Sequence, residues 1–429
     1  MNLVNGELLA ADSCSTVLEE LEARLVRTLS GESLSSETVV NACDRLVSTL
    51  DEATYIKAME ELGIDRALGT AYLAEARQLF SRDGLTHRLR KELGDEYDVT
   101  HTDKPLYRSV PVTTRIAPLG VLLHIAAGNA DGLPVFSVLE GLLTGNINIL
   151  KLPASEGGIS VRLLQELIHI EPRLAEYIYV FDYSSKDIEQ IGKLIDASDA
   201  VVVWGGKEAV SALRGMVPPH IRLIEWGHKI SFGYVTPGGI TPDGLRGLAE
   251  NIAVTGQLLC SSLQGIFVDT AELSVVHDFC TAFLPVLEQA VQGRAYKADR
   301  GIQAQAVLRL YNAELERIYR PCQIFRGDGC SLSAYPDAVL ETGIGFGNVW
   351  VRPLPHNELL SVLRPYKNYL QTVGLLCVDT ERGEITDRLF KTGVVRVCSG
   401  EAMSIAYSGM PHDGEYPLRR YTKTVSVEP

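Results

Sequence analysis

The sequence lacks any excess of positive charge. It holds 40 lysine and arginine residues against 54 aspartate and glutamate residues, which gives a formal net charge of −14 at pH 7. Non-specific binding to nucleic acids or to anionic membranes needs a cationic surface that neutralises phosphates. The composition therefore argues against nucleic acid as a partner.

Paired cysteines are also absent. The eight cysteines are scattered without a CxxC pair, at Cys14, Cys43, Cys260, Cys280, Cys322, Cys330, Cys377 and Cys398. Small secreted scaffolds need a denser cysteine framework, and zinc sites need ligands at fixed spacing. No HExxH sequence is present either, so we expect a reducing compartment and no metal.

No segment has both the length and the apolar character of a membrane span. Residues 119–152 come nearest, but Asn129, Asp131, Glu140, Gly145, Asn146 and Asn148 interrupt them. Residues 1–10 have neither the basic start nor the apolar stretch of an export signal. We therefore expect a cytoplasmic protein without stable membrane insertion.

The 429 residues are 46% hydrophobic, which is enough for a large core and for two or three domains. Residues 14–93 have helical periodicity and predict four or five amphipathic helices. Residues 97–115 alternate around Pro105 and predict a strand or a hairpin, and residues 418–427 alternate like an exposed strand.

From residue 118 onward, apolar strands alternate with helices. The predicted strands lie at 119–125, 147–152, 178–182, 200–204 and 221–225, and a second α/β segment begins near residue 230. Continuously apolar strands separated by helices are typical of parallel sheets covered on both faces. Such sheets bind ligands at the carboxyl ends of their strands, which here are the loops 126–132, 153–158 and 205–208.

The nucleotide-binding sequences GxGxxG and GxxxxGK[ST] are absent, but three side chains are placed for chemistry. Asn129 follows a buried strand, where it either meets a ligand or caps the next helix. Cys260 lies between a helix and a strand as a nucleophile or a small core residue. Glu225 ends the strand IRLIE, as a general base or in an ion pair with Lys229 or His228.

The order of these segments resembles the aldehyde dehydrogenase superfamily. Residues 118–153 resemble its stretch from PxGV to GN.VV.KP, and shorter matches follow in order: WGGKEAV (204–210) with the coenzyme-contacting GS loop, IEWGHK (224–229) with LELGGK, GQLLCSS (256–262) with GQxC, and FGNV (346–349) with FGPV. The segments GNADGLP, YLQTVG and PHDG are most similar to acyl-CoA reductases related to the fatty acid reductase of bacterial luminescence systems.

The resemblance implies an aldehyde dehydrogenase-like α/β fold with two Rossmann-like parallel-sheet domains and a small β arm for oligomerisation. Residues 1–96 and 116–229 would form a helical N-terminal part and the dinucleotide-binding domain. Residues 230–413 would form the catalytic domain, and residues 97–115 and 414–429 the oligomerisation strands. A homo-oligomer is implied, with the tail and the arm in a sheet shared between subunits.

The resemblance also implies the catalytic residues. Cys260 would be the nucleophile, and Asn129 with the Cys260 backbone N–H would form the oxyanion hole. Glu225 matches the general base that activates water in dehydrogenases. Two departures stand out: the segment from Gln257 to Cys260 is one residue longer than GQxC, and the acid before FGPV is missing, with Glu341 the nearest carboxylate upstream.

The implied coenzyme is a nicotinamide dinucleotide. Lys151 would bind the adenosine ribose, Gly205 and Gly206 would lie against the dinucleotide, and Lys207 could add positive charge. The acid that usually follows the lysine by three residues is Ala154 here, which leaves space for a 2′-phosphate. We therefore expect NADPH, with NADH as the other candidate.

Together these features predict NADPH-dependent reduction of an acyl-CoA or acyl-protein thioester to an aldehyde, through an acyl-cysteine intermediate. The alternative within the enzyme class is an aldehyde dehydrogenase that works in the oxidative direction. The alternative outside it is a catalytically silent nucleotide-binding or scaffold protein on the same fold.

Overall fold

The computed structural model describes residues 2–9, 14–61, 66–107, 109–126, 132–153, 158–292 and 300–429. The chain divides into two compact units: the first comprises Met1–Ala58, Ala71–Gly227 and Tyr407–Pro429, and the second Met59–Thr70 and His228–Ala406. Within the described ranges, no helix is long and apolar enough to cross a membrane.

The chain opens with a hairpin of β1 (Asn2–Val4) and β2 (Glu7–Leu9), followed by a helical segment. Its helices are α1 (Cys14–Glu19), α2 (Leu21–Leu29), α3 (Ser36–Thr49), α4 (Glu52–Glu61), α5 (Arg66–Leu79) and α6 (Arg82–Leu93). Ser35 and Ser81 precede helices α3 and α6, and each side-chain hydroxyl accepts the backbone N–H three residues later. These N–H groups have no acceptor within the helix, so the serines cap its start.

The next elements belong to an arm and to the first sheet. They are β3 (His101–Asp103), β4 (Val112–Pro118), β5 (Val121–Ile125), α7 (Leu133–Leu143), β6 (Ile147–Lys151), α8 (Ile159–Ile170), β7 (Ile178–Phe181), α9 (Ile188–Asp196), β8 (Ala200–Trp204), α10 (Lys207–Met216) and β9 (Arg222–Trp226). The five strands predicted from residue 118 onward are confirmed to within about two residues, an uncertainty typical of strand ends.

The first sheet has the order β2-β1-β7-β6-β5-β8-β9; β5 to β9 run parallel to one another, and β1 pairs antiparallel with β7. In β8, Val201 and Val203 enter one hydrophobic cluster and Val202 enters another. Both faces of the strand are therefore buried, which explains its continuously apolar sequence. The order reverses between β5 and β8, and ligands of such sheets bind outside the carboxyl ends of strands at this point.

The second unit is built on another mainly parallel sheet, in the order β12-β13-β14-β11-β10-β15-β16. Its elements are β10 (Ile230–Val235), α11 (Pro242–Thr255), β11 (Leu263–Val268), α12 (Leu273–Gln292), α13 (Arg300–Glu316), β12 (Gln323–Gly327), β13 (Cys330–Ala334), β14 (Asn348–Pro353), α14 (Leu359–Leu363), β15 (Leu370–Leu376), α15 (Asp379–Thr392) and β16 (Arg396–Cys398). Only β12 pairs antiparallel, with β13. Strand β10, which lies between β11 and β15, has no counterpart in the pattern predicted from sequence.

The C-terminal segment forms α16 (Pro417–Arg420) and β17 (Thr422–Val427). The prediction of a strand from residue 418 was therefore wrong for its first residues, where Pro417 starts a helical turn and Leu418 is buried. Strand β17 pairs antiparallel with β4, and β4 pairs with β3. The tail and the arm thus share a sheet within one chain.

A buried ion-pair cluster attaches α6 to α7 and to the tail. Arg88 donates through Nε to Glu92 (2.6 Å) and through Nη2 to Glu140. Glu92 also accepts the Leu418 backbone N–H (2.8 Å), and Glu140 accepts the Tyr421 hydroxyl (3.2 Å). Burial raises the pKa of Glu140 to about 7, and Arg88 opposes this shift. One guanidinium therefore compensates two buried carboxylates.

Arg88→Met is expected to destabilise the fold by about 3–5 kcal/mol at about pH 8, because it leaves two buried carboxylates without their cation. The raised pKa means that folded Glu140 keeps a proton that the unfolded chain loses above its ordinary value of 4.5, so stability declines as the pH rises toward about 7. Without Arg88 the decline extends to higher pH, and the loss is smaller at about pH 5.5.

Urea unfolding at the two pH values measures this difference. Arg388→Met is the matched control, because Arg388 makes an exposed pair with Glu384 four residues earlier (2.8 Å). Its loss should stay below about 1 kcal/mol at either pH. Equal losses of stability for Arg88→Met at both pH values would contradict the conclusion that Glu140 is the carboxylate with the raised pKa.

Candidate active site

Cys260 lies in a turn between the end of α11 and the start of β11. Helix α11 begins at Pro242 and ends at Thr255. Gly256 and Gln257 follow with positive φ angles of 55° and 65°, and a left-handed residue after a helix is a common way to end it. The helix-to-strand context predicted for Cys260 is confirmed, and its side chain is exposed.

The Gln257 side chain fixes this turn. Its Nε2 donates to the Leu263 carbonyl (3.0 Å), and its Oε1 accepts the Gly347 N–H (3.0 Å). The Gln257 carbonyl accepts the side-chain amide of Gln264 (2.9 Å). Gln257 is only 5% exposed, so these bonds are protected from water. One buried amide therefore connects the turn that carries Cys260 to the loop before β14.

A bulge in β11 follows the turn. Ser231 and Gly233 of β10 pair with Leu263 and Ile266 of β11, so β11 holds one extra residue over this stretch. Leu263 and Ile266 still enter the same hydrophobic cluster although they are three residues apart. A bulge changes the direction of nearby side chains and interrupts regular pairing. Here it lies at the amino end of the strand that follows Cys260.

The backbone around Cys260 is bonded on both sides. Ser231 Oγ donates to the Cys260 carbonyl (2.7 Å) and accepts the Thr372 N–H (3.1 Å). The hydroxyl of Ser262 accepts the Leu259 N–H (3.0 Å). Fixed backbone bonds can hold an exposed side chain in place without burying it. The turn therefore presents the thiol at a defined position.

The Cys260 sulfur accepts a hydrogen bond from Gln371 Nε2 at 3.4 Å. Gln371 belongs to β15 and is 6% exposed. In the sequence, the surrounding segment YLQTVG showed only a family resemblance, and this glutamine was not predicted as a site residue. A long polar side chain inside a mainly apolar strand is the signal that could have identified it.

The other cysteines with described side chains are less suited to nucleophilic attack. Burial raises their pKa, to about 12 in Cys43 and Cys280 and about 11 in Cys330, and also above the ordinary value in Cys322, Cys377 and Cys398. The thiolate is the nucleophilic form, so a raised pKa reduces reactivity at neutral pH. Among these residues Cys260 is the exposed one.

Glu225 is the fourth residue of β9, and Trp226 ends the strand. Arg214 of α10 donates through Nε and Nη2 to the two carboxylate oxygens of Glu225. This hydrogen bonding raises the pKa of Arg214. Arg214 is an ion-pair partner that the sequence did not identify. The pair fixes the orientation of the carboxylate at the carboxyl end of β9.

Lys151 ends β6, at the edge where ligands are expected. It is 4% exposed, and its Nζ donates to Ser185 Oγ (2.9 Å). Burial lowers the pKa of Lys151, and the carboxylate of Asp182 partly opposes the shift. An ammonium group held in this way can donate to a ribose hydroxyl as well as to serine.

Gly205 and Gly206 connect β8 to α10, and Lys207 is the exposed first residue of that helix. No side chain caps the helix, and a Cβ on Gly206 would meet no atom within 4 Å. Uncapped N–H groups at the start of a helix attract phosphate. These residues therefore fit a bound dinucleotide. Asn129 and Ala154 lie outside the described residues.

An aromatic cluster lies at the same edge of the first sheet. Trp204 and Trp226, the last residues of β8 and β9, stack with ring centroids 5.4 Å apart. The His412 ring lies 5.0 Å from each of them, and the Arg420 guanidinium lies 5.0 Å above Trp226. These aromatic residues were not predicted as site residues from the sequence. They bring the segment PHDG to the carboxyl ends of two strands.

Glu341, the nearest carboxylate upstream of FGNV, is part of a separate ion-pair group. Arg320 (3.4 Å) and the fully buried Arg352 both donate to it, and both guanidinium groups lie 4.4 Å from the Tyr335 ring. The Glu341 carboxylate thus forms ion pairs with two arginines. Across the parts of the chain that the structure describes, no group of three or more His, Cys, Asp or Glu side chains could hold a metal ion.

Solved structures with similar folds are aldehyde dehydrogenases. A NAD-dependent benzaldehyde dehydrogenase from Corynebacterium glutamicum has a TM-score of 0.71 and 11% identity, over 100% of this chain and 94% of that chain. The glyceraldehyde-3-phosphate dehydrogenase GapN from Methanocaldococcus jannaschii, complexed with NADP, has a TM-score of 0.73 and 9% identity, over 99% and 95%. The predicted aldehyde dehydrogenase-like α/β fold is confirmed.

Sequence comparisons define the family more narrowly. A long-chain acyl-protein thioester reductase from Aliivibrio fischeri is 25% identical over 324 residues, which are 72% of this chain and 64% of that protein. The match thus spans slightly less than two thirds of the relative's length. The pattern of the family described as acyl-CoA reductase (LuxC) matches residues 32–316 and 342–424. This match covers most of the sequence, and the chain belongs to the acyl-CoA reductase (LuxC) family.

Proposed function

We propose that this protein uses NADPH to reduce an acyl-CoA or acyl-protein thioester to the aldehyde, through a covalent intermediate on Cys260. The observation that carries the proposal is that the Cys260 side chain is exposed while hydrogen bonds hold its backbone in place. The chain also belongs to a family of acyl-CoA reductases. The name of the Aliivibrio fischeri relative supports a thioester as the substrate class.

In the first half-reaction the Cys260 thiolate attacks the carbonyl carbon of the thioester. The carbonyl electrons move to oxygen, and their return expels the thiol of CoA or of the carrier protein as a thiolate. Asn129 and the backbone N–H of Cys260 are proposed to stabilise the oxyanion. The product of this half-reaction is an acyl group on Cys260 Sγ.

In the second half-reaction the reduced nicotinamide, when bound, supplies a hydride to the acyl carbon. The resulting thiohemiacetal on Cys260 collapses to the aldehyde when its C–S bond breaks and the electron pair returns to Sγ. Cys260 therefore acts first as a nucleophile and then as a leaving group. No water takes part in either half-reaction, and water would waste the acyl-enzyme by hydrolysis.

The residues proposed to hold the dinucleotide are Lys151, Gly205, Gly206 and Lys207. The open space beside Gly206 and the uncapped start of α10 suit a phosphate or ribose group. A carboxylate in place of Ala154 would repel a 2′-phosphate, so we expect NADPH to be used at least as well as NADH.

The function is tested by following NADPH absorbance with acyl-CoA thioesters of several chain lengths and identifying the product. We expect thioester-dependent oxidation of NADPH with release of aldehyde, and kcat/KM with NADPH at least equal to that with NADH. Turnover of aldehydes with NADP⁺ but none with thioesters would support the oxidative alternative. Dinucleotide binding without turnover in either direction would support the silent protein.

Cys260→Ser is expected to abolish reduction and to leave dinucleotide binding intact, because an unactivated hydroxyl is a much poorer nucleophile of almost the same size. Steady-state turnover and NADPH fluorescence titration measure the two effects. Cys398→Ser is the control and should be nearly silent, since Cys398 packs beside a hydrophobic cluster. Retention of more than about a tenth of wild-type turnover by Cys260→Ser would place the nucleophile elsewhere.

For Glu225 we propose that it helps to deprotonate Cys260, because the reductive direction needs a thiolate but no water. Glu225→Gln should then slow single-turnover acylation, and the defect should ease as the pH rises toward the ordinary thiol pKa of about 8.5. If Glu225 instead activates water, the variant should spare aldehyde formation and suppress only hydrolysis of the thioester to the free acid.

The third possible role of Glu225 is purely structural, as the partner of Arg214 in an ion pair. Arg214→Met removes the pair and keeps the carboxylate, and its melting temperature is compared with that of Glu225→Gln. If both variants lose stability equally and acylate at the wild-type rate across pH, Glu225 has no part in activating the nucleophile.

We further propose a homo-oligomer that forms through the tail sheet. Strand β17 lies at the edge of the sheet β17-β4-β3, and an exposed edge strand readily pairs with another chain. Deletion of residues 422–429 should therefore lower the mass measured by light scattering, and it leaves the buried Leu418 and Tyr421 in place. An unchanged mass with an unchanged melting temperature would show that assembly uses another surface.

A further inference from the structure

A second bulge, in β15, lies on the other side of β10. Ile230 and Phe232 pair with Leu370 and Val373, so β15 holds one extra residue over this stretch. Leu370 and Val373 nevertheless pack in the same hydrophobic cluster, although regular alternation would place them on opposite faces. Gln371 lies inside this bulge. Its side chain is therefore directed by the irregularity rather than by the alternation of the strand.

The same hydroxyl that bonds the nucleophile turn also bonds this bulge. Ser231 Oγ accepts the Thr372 N–H and donates to the Cys260 carbonyl. On its other side, the Gln371 carbonyl accepts the Val395 N–H (3.0 Å). Ser231 thus joins the backbone next to Gln371 to the backbone of Cys260. This connection holds the two backbone segments next to each other.

Gln371 Nε2 donates to Cys260 Sγ at 3.4 Å, from a side chain that is almost completely buried. A hydrogen bond to the charged form of an acid favours that form, and an amide donor carries no charge and does not titrate. We propose that Gln371 is a catalytic residue whose amide stabilises the thiolate of Cys260. This inference rests on the proposed function of Cys260 as the nucleophile.

The donor would act at two steps of the proposed reaction. Before acylation it raises the fraction of Cys260 present as the reactive thiolate. When the thiohemiacetal collapses, the alkoxide re-forms the carbonyl, the C–S bond breaks, and the electron pair passes to Sγ. The Gln371 N–H then stabilises the departing thiolate. The same N–H donor thus serves both the attack and the departure of Sγ, and Gln371 neither gains nor loses a proton in either step.

The test uses the full chain without substrate or coenzyme, so its readout is independent of turnover. The rate of Cys260 alkylation by iodoacetamide is followed by peptide mass spectrometry across pH. Gln371→Met keeps the length of the side chain and removes the donor. The pH midpoint of Cys260 alkylation should then rise by about one unit, and the alkylation rate at neutral pH should fall about tenfold. Gln371→Glu should raise it further, because a carboxylate repels the thiolate.

Gln323→Met is the matched control, because Gln323 is an exposed residue of β12 in the same unit, and its alkylation profile should equal the wild-type profile. An unchanged midpoint in Gln371→Met would overturn the proposal. A lowered midpoint would also overturn the proposal, because it would mean that the side-chain oxygen of Gln371, Oε1, accepts a hydrogen bond from the Cys260 S–H. If Gln371→Met fails to fold, Gln371→Leu, which also lacks the donor and carries no charge, gives the same decision.

Turnover separates this inference from the proposed function. If the wild type reduces thioesters and Gln371→Met matches it in acylation and aldehyde release at every pH, the role of Gln371 is wrong and the proposed function stands. If the wild type reduces no thioester while the alkylation midpoint shifts as expected, the contact is real and the proposed function is wrong. Partial recovery in Gln371→Asn, which keeps the amide on a shorter chain, would support a donor role.

Discussion

The amide of Gln257 bonds the start of β11 and the loop before β14, and the presentation of Cys260 depends on it. A nucleophilic thiol has to be exposed, so packing of its own side chain cannot hold it in place. Gln257 also has a positive φ angle of 65°, which costs about 1–2 kcal/mol for a residue with a side chain. Its two side-chain hydrogen bonds, at about 1 kcal/mol each, offset that cost.

The parallel strands of the first unit could be predicted because helices cover both faces and most positions are apolar. Strand β10, in the interior of the second sheet, could not be predicted by the same rule. Ser231 and Gly233 interrupt its apolar run, and these are the positions beside the two bulges. The residues that make β10 useful to the site are therefore the ones that conceal it as a strand.

The candidate site was only partly predictable for a related reason. The resemblance identified Cys260 through a local segment, whereas its donor Gln371 is 111 residues away in the chain. The contact depends on an extra residue in β15, and no periodic pattern encodes a bulge of this kind. Likewise, residues 418–427 were predicted as one exposed strand from their alternating pattern, although Leu418 and Tyr421 are buried in the first unit.

A thioester reductase has to stabilise a thiolate without activating water against its own acyl-enzyme. A carboxylate such as Glu225 can accept a proton from a thiol, but the same group can accept one from water. The amide of Gln371 accepts no proton at ordinary pH, so it can stabilise Sγ without generating hydroxide. Two bulges and one serine hydroxyl hold that amide at the sulfur. The irregular backbone around β10 thus supplies an uncharged donor to the sulfur, where a second acidic group would favour hydrolysis.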